Sequence, residues 1–427
     1  MQRLSRVKQI YFAAEFLGWF GVGLVLPVSI LLLQSRGLDL FEIGLLMGMY
    51  SLTIVVLELP TGGLADAIGR KPVTLLSYLF ALASSLAFLV SFSMTFFVLS
   101  FVLLGVSRAL ASGALGSWFV DQLLEIDGDI DLQPPLAHAN VFVIAGLCLG
   151  SLAGGWIPRR FDHLATDSMA VFTPLSMTLV FSIGIKLVNL MLVSLAVKEQ
   201  RGSASLRPAL GQIPSQLSTA FVEIRQNPTI MLVLATTFGG ALALMSVETF
   251  WQPRFAGWLG SENTHVFGLL MTGAFTVGII GNLASIPLSK WLKGRHALVA
   301  ALAQAGGGMA VILLAFQTDS FTAAAFFWLF YLTGGVLGSP VAAIFNREVP
   351  SERRSSMQSV MSLAGYAGSF LGSAALGYVA KVNGIGTVWF VSGLILAASA
   401  GLFLLIDNRT RVQGTVDPGD HAPVAGG

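Results

Sequence analysis

Along this chain, apolar stretches long enough to cross a membrane recur twelve times, separated by short polar runs such as QSRGLD, GDIDLQPP, KGRH and PSERR. A helix of about 20 residues rises roughly 30 Å, the thickness of a bilayer's hydrocarbon core. The runs fall at about 10–33, 41–62, 73–92, 95–121, 137–158, 171–196, 229–256, 266–289, 297–316, 321–344, 356–380 and 386–406. Only 11% of residues are charged, and 55% are hydrophobic. A soluble domain carries about 25% charged residues. Much of this chain's outer surface must therefore face lipid, which predicts an all-α integral membrane protein with twelve transmembrane helices. The first run follows MQRLSRVKQ without a small-residue cleavage signal, so a retained span is expected rather than a removed leader.

Basic residues orient the spans, because they concentrate in cytoplasmic segments. With the N-terminus inside, 17 Lys and Arg fall in inner segments and 5 in outer ones, while Arg108 and Lys186 lie within spans. Both termini are therefore expected in the cytoplasm, in a multi-pass protein of the cell membrane. A polar linker separates six spans from six. The expected organisation is 1–197 and 229–407 as two six-helix halves, 198–228 as a cytoplasmic linker, and 408–427 as a disordered polar tail. The halves repeat weakly. Shifted by 219 residues, GGLADAIGRK at 62–71 overlies GNLASIPLSK at 281–290, matching Gly, Leu, Ala and Lys at the same place in each half. Repeated six-span halves are a secondary-transporter architecture, with the substrate site between them near mid-membrane.

GGLADAIGRK resembles the signature between spans 2 and 3 of the major facilitator superfamily, through Gly62, Leu64, Ala65, Asp66, Gly69, Arg70 and Lys71; Ala67 replaces the usual basic residue. The resemblance implies an inner gate in which Asp66 sits near Arg353 and Arg354 at the start of span 11 and Arg70 reaches Asp121 at the base of span 4. In span 4, Arg108, Ser112 and Gly113 resemble that helix's R-x-x-x-S-G motif. In span 5, Gly146, Gly150, Gly154 and Gly155 are similar to the glycine motif of the drug–proton antiporters, with Ser151 in place of its proline. That motif implies export. Small residues at this spacing also serve as generic packing devices.

The resemblance further implies that spans 1, 4, 7 and 10 line a central cavity. Glu15, Arg108 and Glu248 lie on three of these. Ionisable residues inside spans are costly and mark substrate or proton paths. Glu248 shares a helix face with Trp251 and Gln252, at i+3 and i+4, and is the first candidate for proton coupling. Glu15 follows, with Trp19 at i+4, and then Glu58, for which a structural role in the inner gate is preferred. Arg108, Phe16, Trp19, Trp251, Gln252, Trp328 and Tyr331 complete the candidate cavity set, since aromatic walls suit bulky apolar or cationic compounds.

No phosphate loop, dinucleotide fingerprint or hydrolase elbow occurs, and the single cysteine, Cys148, joins no metal-ligand spacing. An enzyme is not expected, nor a metal, a cofactor or a nucleic-acid partner at a net charge of +2. The expectation is a monomeric, proton-coupled exporter of small hydrophobic or amphipathic molecules, working by alternating access. The alternative is proton-coupled uptake of a small polar nutrient such as a sugar or organic acid.

Overall fold

A computed structural model describes residues 2–164, 169–199, 222, 224–350 and 353–416. The regular structure of these residues is helical, and twelve helices are long and apolar enough to cross a bilayer. Span 1 comprises Gln2–Val25 and Ser29–Ser35. Span 2 is Leu40–Ile68, span 3 Arg70–Leu89, and span 4 Met94–Ala111 with Ala114–Ile126. Span 5 is Gln133–Arg160 and span 6 Met177–Ala196. Spans 7–12 are Pro228–Leu259, Thr264–Trp291, His296–Ala315, Ser320–Glu348, Arg354–Asn383 and Ile385–Val416.

Several boundaries depart from the sequence-based expectation for local reasons. Span 1 breaks at Leu26–Val28, where Pro27 lacks an amide donor and disfavours helix at the residue before it. Span 2 does not end at residue 62 but continues through Pro60 to Ile68, so most of GGLADAI is its last two turns. The turn to span 3 is Gly69 alone, at φ +97°, a conformation open to glycine. Span 4 is not one straight helix either, because Gly113 at φ +79° breaks it just beyond Arg108. Span 4 also extends beyond the expected residue 121, with Asp121 and Glu125 on its final segment. Span 12 stays helical to Val416 in place of a tail from 408, and the first proline beyond 408 is Pro418. Most of the 198–228 linker and residues 417–427 lie outside the described residues.

The two halves are related by their packing. Span 5 lies along span 1, and span 11 lies along span 7 in the same way. In each pair a glycine ladder admits the partner's backbone. A Cβ on Gly150 would stand 2.5 Å from the Phe20 carbonyl oxygen, and one on Gly372 would stand 2.7 Å from that of Leu242. In lipid, such close approach supplies the van der Waals contact that holds helices together. The same two helices also carry the contacts between halves, span 5 against span 8 and span 11 against span 2. Gly155 meets Gly268 backbone to backbone, and Gly377 meets Gly44.

The described contacts between halves run from the middle of the spans to the end opposite the termini. There the Thr264 hydroxyl donates to the Gly155 carbonyl at 2.8 Å, and Lys381 Nζ pairs with Asp39 Oδ2 at 2.6 Å. Asp39 also caps span 2, accepting from the amides of Phe41 and Glu42.

Candidate functional site

A cavity of about 490 Å³ lies at the centre of the bundle, lined by spans 1, 2, 3, 4, 6, 7 and 8. Its size is ordinary for a small-molecule site. Four ionisable side chains line it: Glu15, Arg108, Lys186 and Glu248.

Each is held by neutral or aromatic groups. Trp19 Nε1 donates to Glu15 Oε2 at 3.1 Å, one turn along span 1. Tyr331 donates its hydroxyl to Glu248 Oε1 at 3.0 Å, tying span 10 to span 7. Arg108 Nε donates to the Tyr366 hydroxyl at 3.3 Å, across from span 4 to span 11, and its guanidinium lies 5.9 Å from the Trp19 ring. Lys186 Nζ donates to Ser85 Oγ on span 3. Among the described residues, no acid and base of this set stand within 4.0 Å of each other.

The other expected cavity residues divide. Trp251 touches the cavity only by its edge; it is 2% exposed and packs among Phe255, Phe267 and Phe327 in the core of the second half. Gln252 lines the wall, but its polar atoms serve the break in span 1. Its Oε1 accepts from the Ile30 and Leu31 amides at 3.0 and 3.3 Å, and its Nε2 donates to the Leu26 carbonyl at 2.8 Å. The proline that interrupts span 1 leaves those groups without helix partners, and a side chain from the other half supplies them. Trp328 turns away, donating to the Leu270 carbonyl at 2.9 Å and covering Gly273. Phe16 also lies off the cavity, stacked on Phe20 at 5.8 Å beside span 5.

Glu58 is buried in the seam between spans 2 and 4, where the Ser112 hydroxyl donates to its Oε1 at 3.2 Å. Thr61 joins the same seam by donating to the Ala109 carbonyl at 3.0 Å. Both contacts fall where Gly113 breaks span 4, and Thr61 pairs with a backbone carbonyl just before that break.

At the end bearing the termini, Arg70 Nε pairs with Asp121 Oδ2 at 2.8 Å, bracing the turn between spans 2 and 3 against span 4 within one half. Lys71 Nζ donates to the Ser194 and Val197 carbonyls at 2.8 and 2.7 Å, capping span 6. The Glu199 carboxylate accepts from the amides of Arg70 and Lys71 at 2.8 and 2.7 Å, at the start of span 3. Arg354 opens span 11 and reaches the Asn346 carbonyl, with Arg353 just before it. Gly62 and Asp66 lie on the helical backbone of span 2, but the surroundings of these two residues fall outside what is described. Gly146, Gly150 and Gly154 face the span 1 backbone, and Gly155 faces span 8.

Sequence reasoning did not single out Tyr366, Ser85, Glu199 or Lys381. Lys186 stood out as a charge inside a span, a signal strong enough to place it near a cavity.

The chain matches the family model of the Major Facilitator Superfamily over residues 11–338. It is 22% identical over 416 residues to the uncharacterized MFS-type transporter YxaM of Bacillus subtilis (strain 168), covering 95% of this chain and 98% of that one. A 144-residue stretch is 32% identical to the multidrug transporter MdfA of Edwardsiella ictaluri (strain 93-146), covering 34% of each chain. Among solved structures, that of the nucleoside transporter NupG superposes with a TM-score of 0.70 at 14% identity, over 94% of this chain and 98% of that one.

Proposed function

Because the chain belongs to the Major Facilitator Superfamily, we propose that it exports small hydrophobic or amphipathic compounds by alternating access in exchange for protons. The observation that carries this reading is the pair of cavity carboxyls, Glu15 and Glu248, each hydrogen-bonded to a neutral donor and, among the described residues, neither paired with a base. A carboxyl held this way can keep its hydrogen bond in both protonation states, so it can gain a proton from one side and release it to the other. A permanent ion pair would oppose that cycle. The apolar wall of the cavity, with Trp19, Tyr50, Phe101 and Met271, suits an amphipathic passenger. The partial likeness to a multidrug transporter and the antiporter-like glycines of span 5 support the outward direction.

In this reading the end bearing the termini faces the cytoplasm, which the excess of basic residues there supports. The conformation is then closed on the outer side. Arg70, Lys71 and Asp121, with Asp66, Arg353 and Arg354, belong to the gate on the inner side. The protein acts as a monomer in the cell membrane, and the transported molecule and protons are its ligands.

Everted membrane vesicles given a dye panel in the surrounding medium test the proposal. An imposed proton gradient is expected to drive dye accumulation, and Glu248→Gln to abolish that accumulation while dye still binds. Collapse of transport with the sodium gradient rather than the proton gradient overturns proton exchange. Accumulation of labelled sugar or organic acid by intact cells, without dye extrusion, establishes uptake instead. Undiminished proton-driven efflux in Glu15→Gln with Glu248→Gln moves coupling to Glu58.

A further inference from the structure

Lys186 lies in the middle of the twenty residues of span 6. At 1.5 Å per residue either end is about 15 Å away, too far for the ammonium to reach a headgroup. Its stem runs past Gly21 of span 1, where a Cβ would stand 3.8 Å from the lysine Cγ, and its Nζ reaches Ser85 on span 3. The side chain is thus threaded between three helices and delivered to the cavity wall. Ser84 and Ser100, both buried, line the cavity with it. Among the described residues no carboxylate stands within 4.0 Å of the ammonium.

A cation removed from water without a counter-charge costs several kcal/mol. The acids of the cavity offset it only while they are ionised. Glu15 and Glu248 are engaged by Trp19 and Tyr331, and both lose their charge when they carry a proton. The proton-loaded cavity then holds the positive charges of Arg108 and Lys186 among apolar and neutral polar side chains. Arg108 already has the Tyr366 oxygen and the Trp19 face; Lys186 has one hydroxyl.

We propose that Lys186 is the docking point for the anionic end of the transported molecule, which makes the substrate class an amphipathic organic monoanion such as a carboxylate. This rests on the reading of the cavity as the substrate site. The ammonium would pair with the carboxylate, and the Ser84 hydroxyl can donate to its second oxygen, whereas the Ser85 hydroxyl already donates to the Ala81 carbonyl. The apolar body of the molecule would extend along Val22, Leu26, Met47, Phe101 and Leu104, all on the cavity wall. The ammonium supplies one pairing point for one carboxylate, and Arg108 is already engaged by Tyr366 and Trp19.

Equilibrium binding to the purified protein, with no gradient present, tests the assignment with three dyes that share a fluorophore. Dansylglycine carries a carboxylate, dansylglycinamide is its neutral amide, and dansylcadaverine is a cation. The wild-type protein is expected to bind dansylglycine at least tenfold more tightly than the amide. Lys186→Gln should weaken dansylglycine at least tenfold and leave the amide unchanged, while Lys186→Arg should keep the preference. Should Lys186→Gln fail to fold, the order of the three dyes on the wild-type protein decides alone. Equal binding of all three, a preference for the cation, no binding at all, or an unaltered preference in Lys186→Gln overturns the proposal. Proton-driven transport in vesicles is read separately, so absence of an anion preference in the wild-type protein, with exchange intact, refutes the role of Lys186 and spares the exporter reading.

Discussion

The seam between the halves offers a perturbation whose size can be worked from the coordinates. In Gly155→Ala the new Cβ would sit 2.8 Å from Gly268 Cα and 2.9 Å from both Gly268 N and the Thr264 carbonyl oxygen. Ordinary van der Waals contact begins at 3.4 Å, so spans 5 and 8 must separate until the closest of these reaches that distance. All three obstructing atoms are backbone, so no side chain can swing away to relieve the clash. The separation also stretches the 2.8 Å hydrogen bond from the Thr264 hydroxyl to the Gly155 carbonyl. Overpacking of this kind costs about 1–3 kcal/mol. The cost falls on the conformation in which the halves meet at the end opposite the termini, and it is relieved when they part there. A bias of that size shifts the balance between the two conformations by roughly 5- to 150-fold. Spin labels on cysteines placed at Arg160 and Glu262, exposed positions in opposite halves at that end, report the change in a Cys148→Ser background. The long-distance population is expected to rise in Gly155→Ala and to stay at the wild-type level in Gly184→Ala, where a Cβ meets nothing within 4 Å. Identical distance distributions in Gly155→Ala and wild type would refute the reasoning.

Gln252→Leu should lower the melting temperature of the detergent-purified protein, because it leaves the Ile30 and Leu31 amides without partners, at about 1–3 kcal/mol for each buried group left unpaired, and leaves the Leu26 carbonyl only the Ser29 hydroxyl. An unchanged melting temperature in that variant means that water replaces the side chain at the break. The Lys381 ammonium beside Asp39 holds that carboxyl below its ordinary range. A depressed acid contributes its stabilisation above its unfolded pKa and loses it as pH falls through the folded one, so the pair should persist from neutral pH down past about pH 4. Asp39→Asn should therefore lengthen the Arg160–Glu262 label distances at pH 7 and have no added effect once the wild-type pair is itself protonated; a difference that persists at low pH removes the ion pair as its cause.

Much of the architecture was legible in the chain because membrane crossing imposes a length and a composition on each helix. The twelve apolar runs, their division into six and six, and the glycine ladder at 146–154 arise from that constraint and from the need for close backbone approach. The Arg70–Asp121 contact was also foreseeable, though only through the family resemblance and not from spacing. The cavity was less legible. In a soluble helix the polar stripe separates water from core, but in lipid the outer face and the packed face are equally apolar, so periodicity cannot say which way Phe16 or Trp328 turns. Breaks at Leu26–Val28 and Gly113 re-aim the helical segments beyond them, and neither proline nor glycine announces by how much. Partners separated widely along the chain were beyond reach altogether. Arg108 with Tyr366, Glu248 with Tyr331, and Gln252 with the broken end of span 1 each join residues that local sequence cannot relate. The sequence by itself determined that charges would be buried in the membrane, since no span could expel them. Only the packing of helices against one another decided which atoms those charges would find.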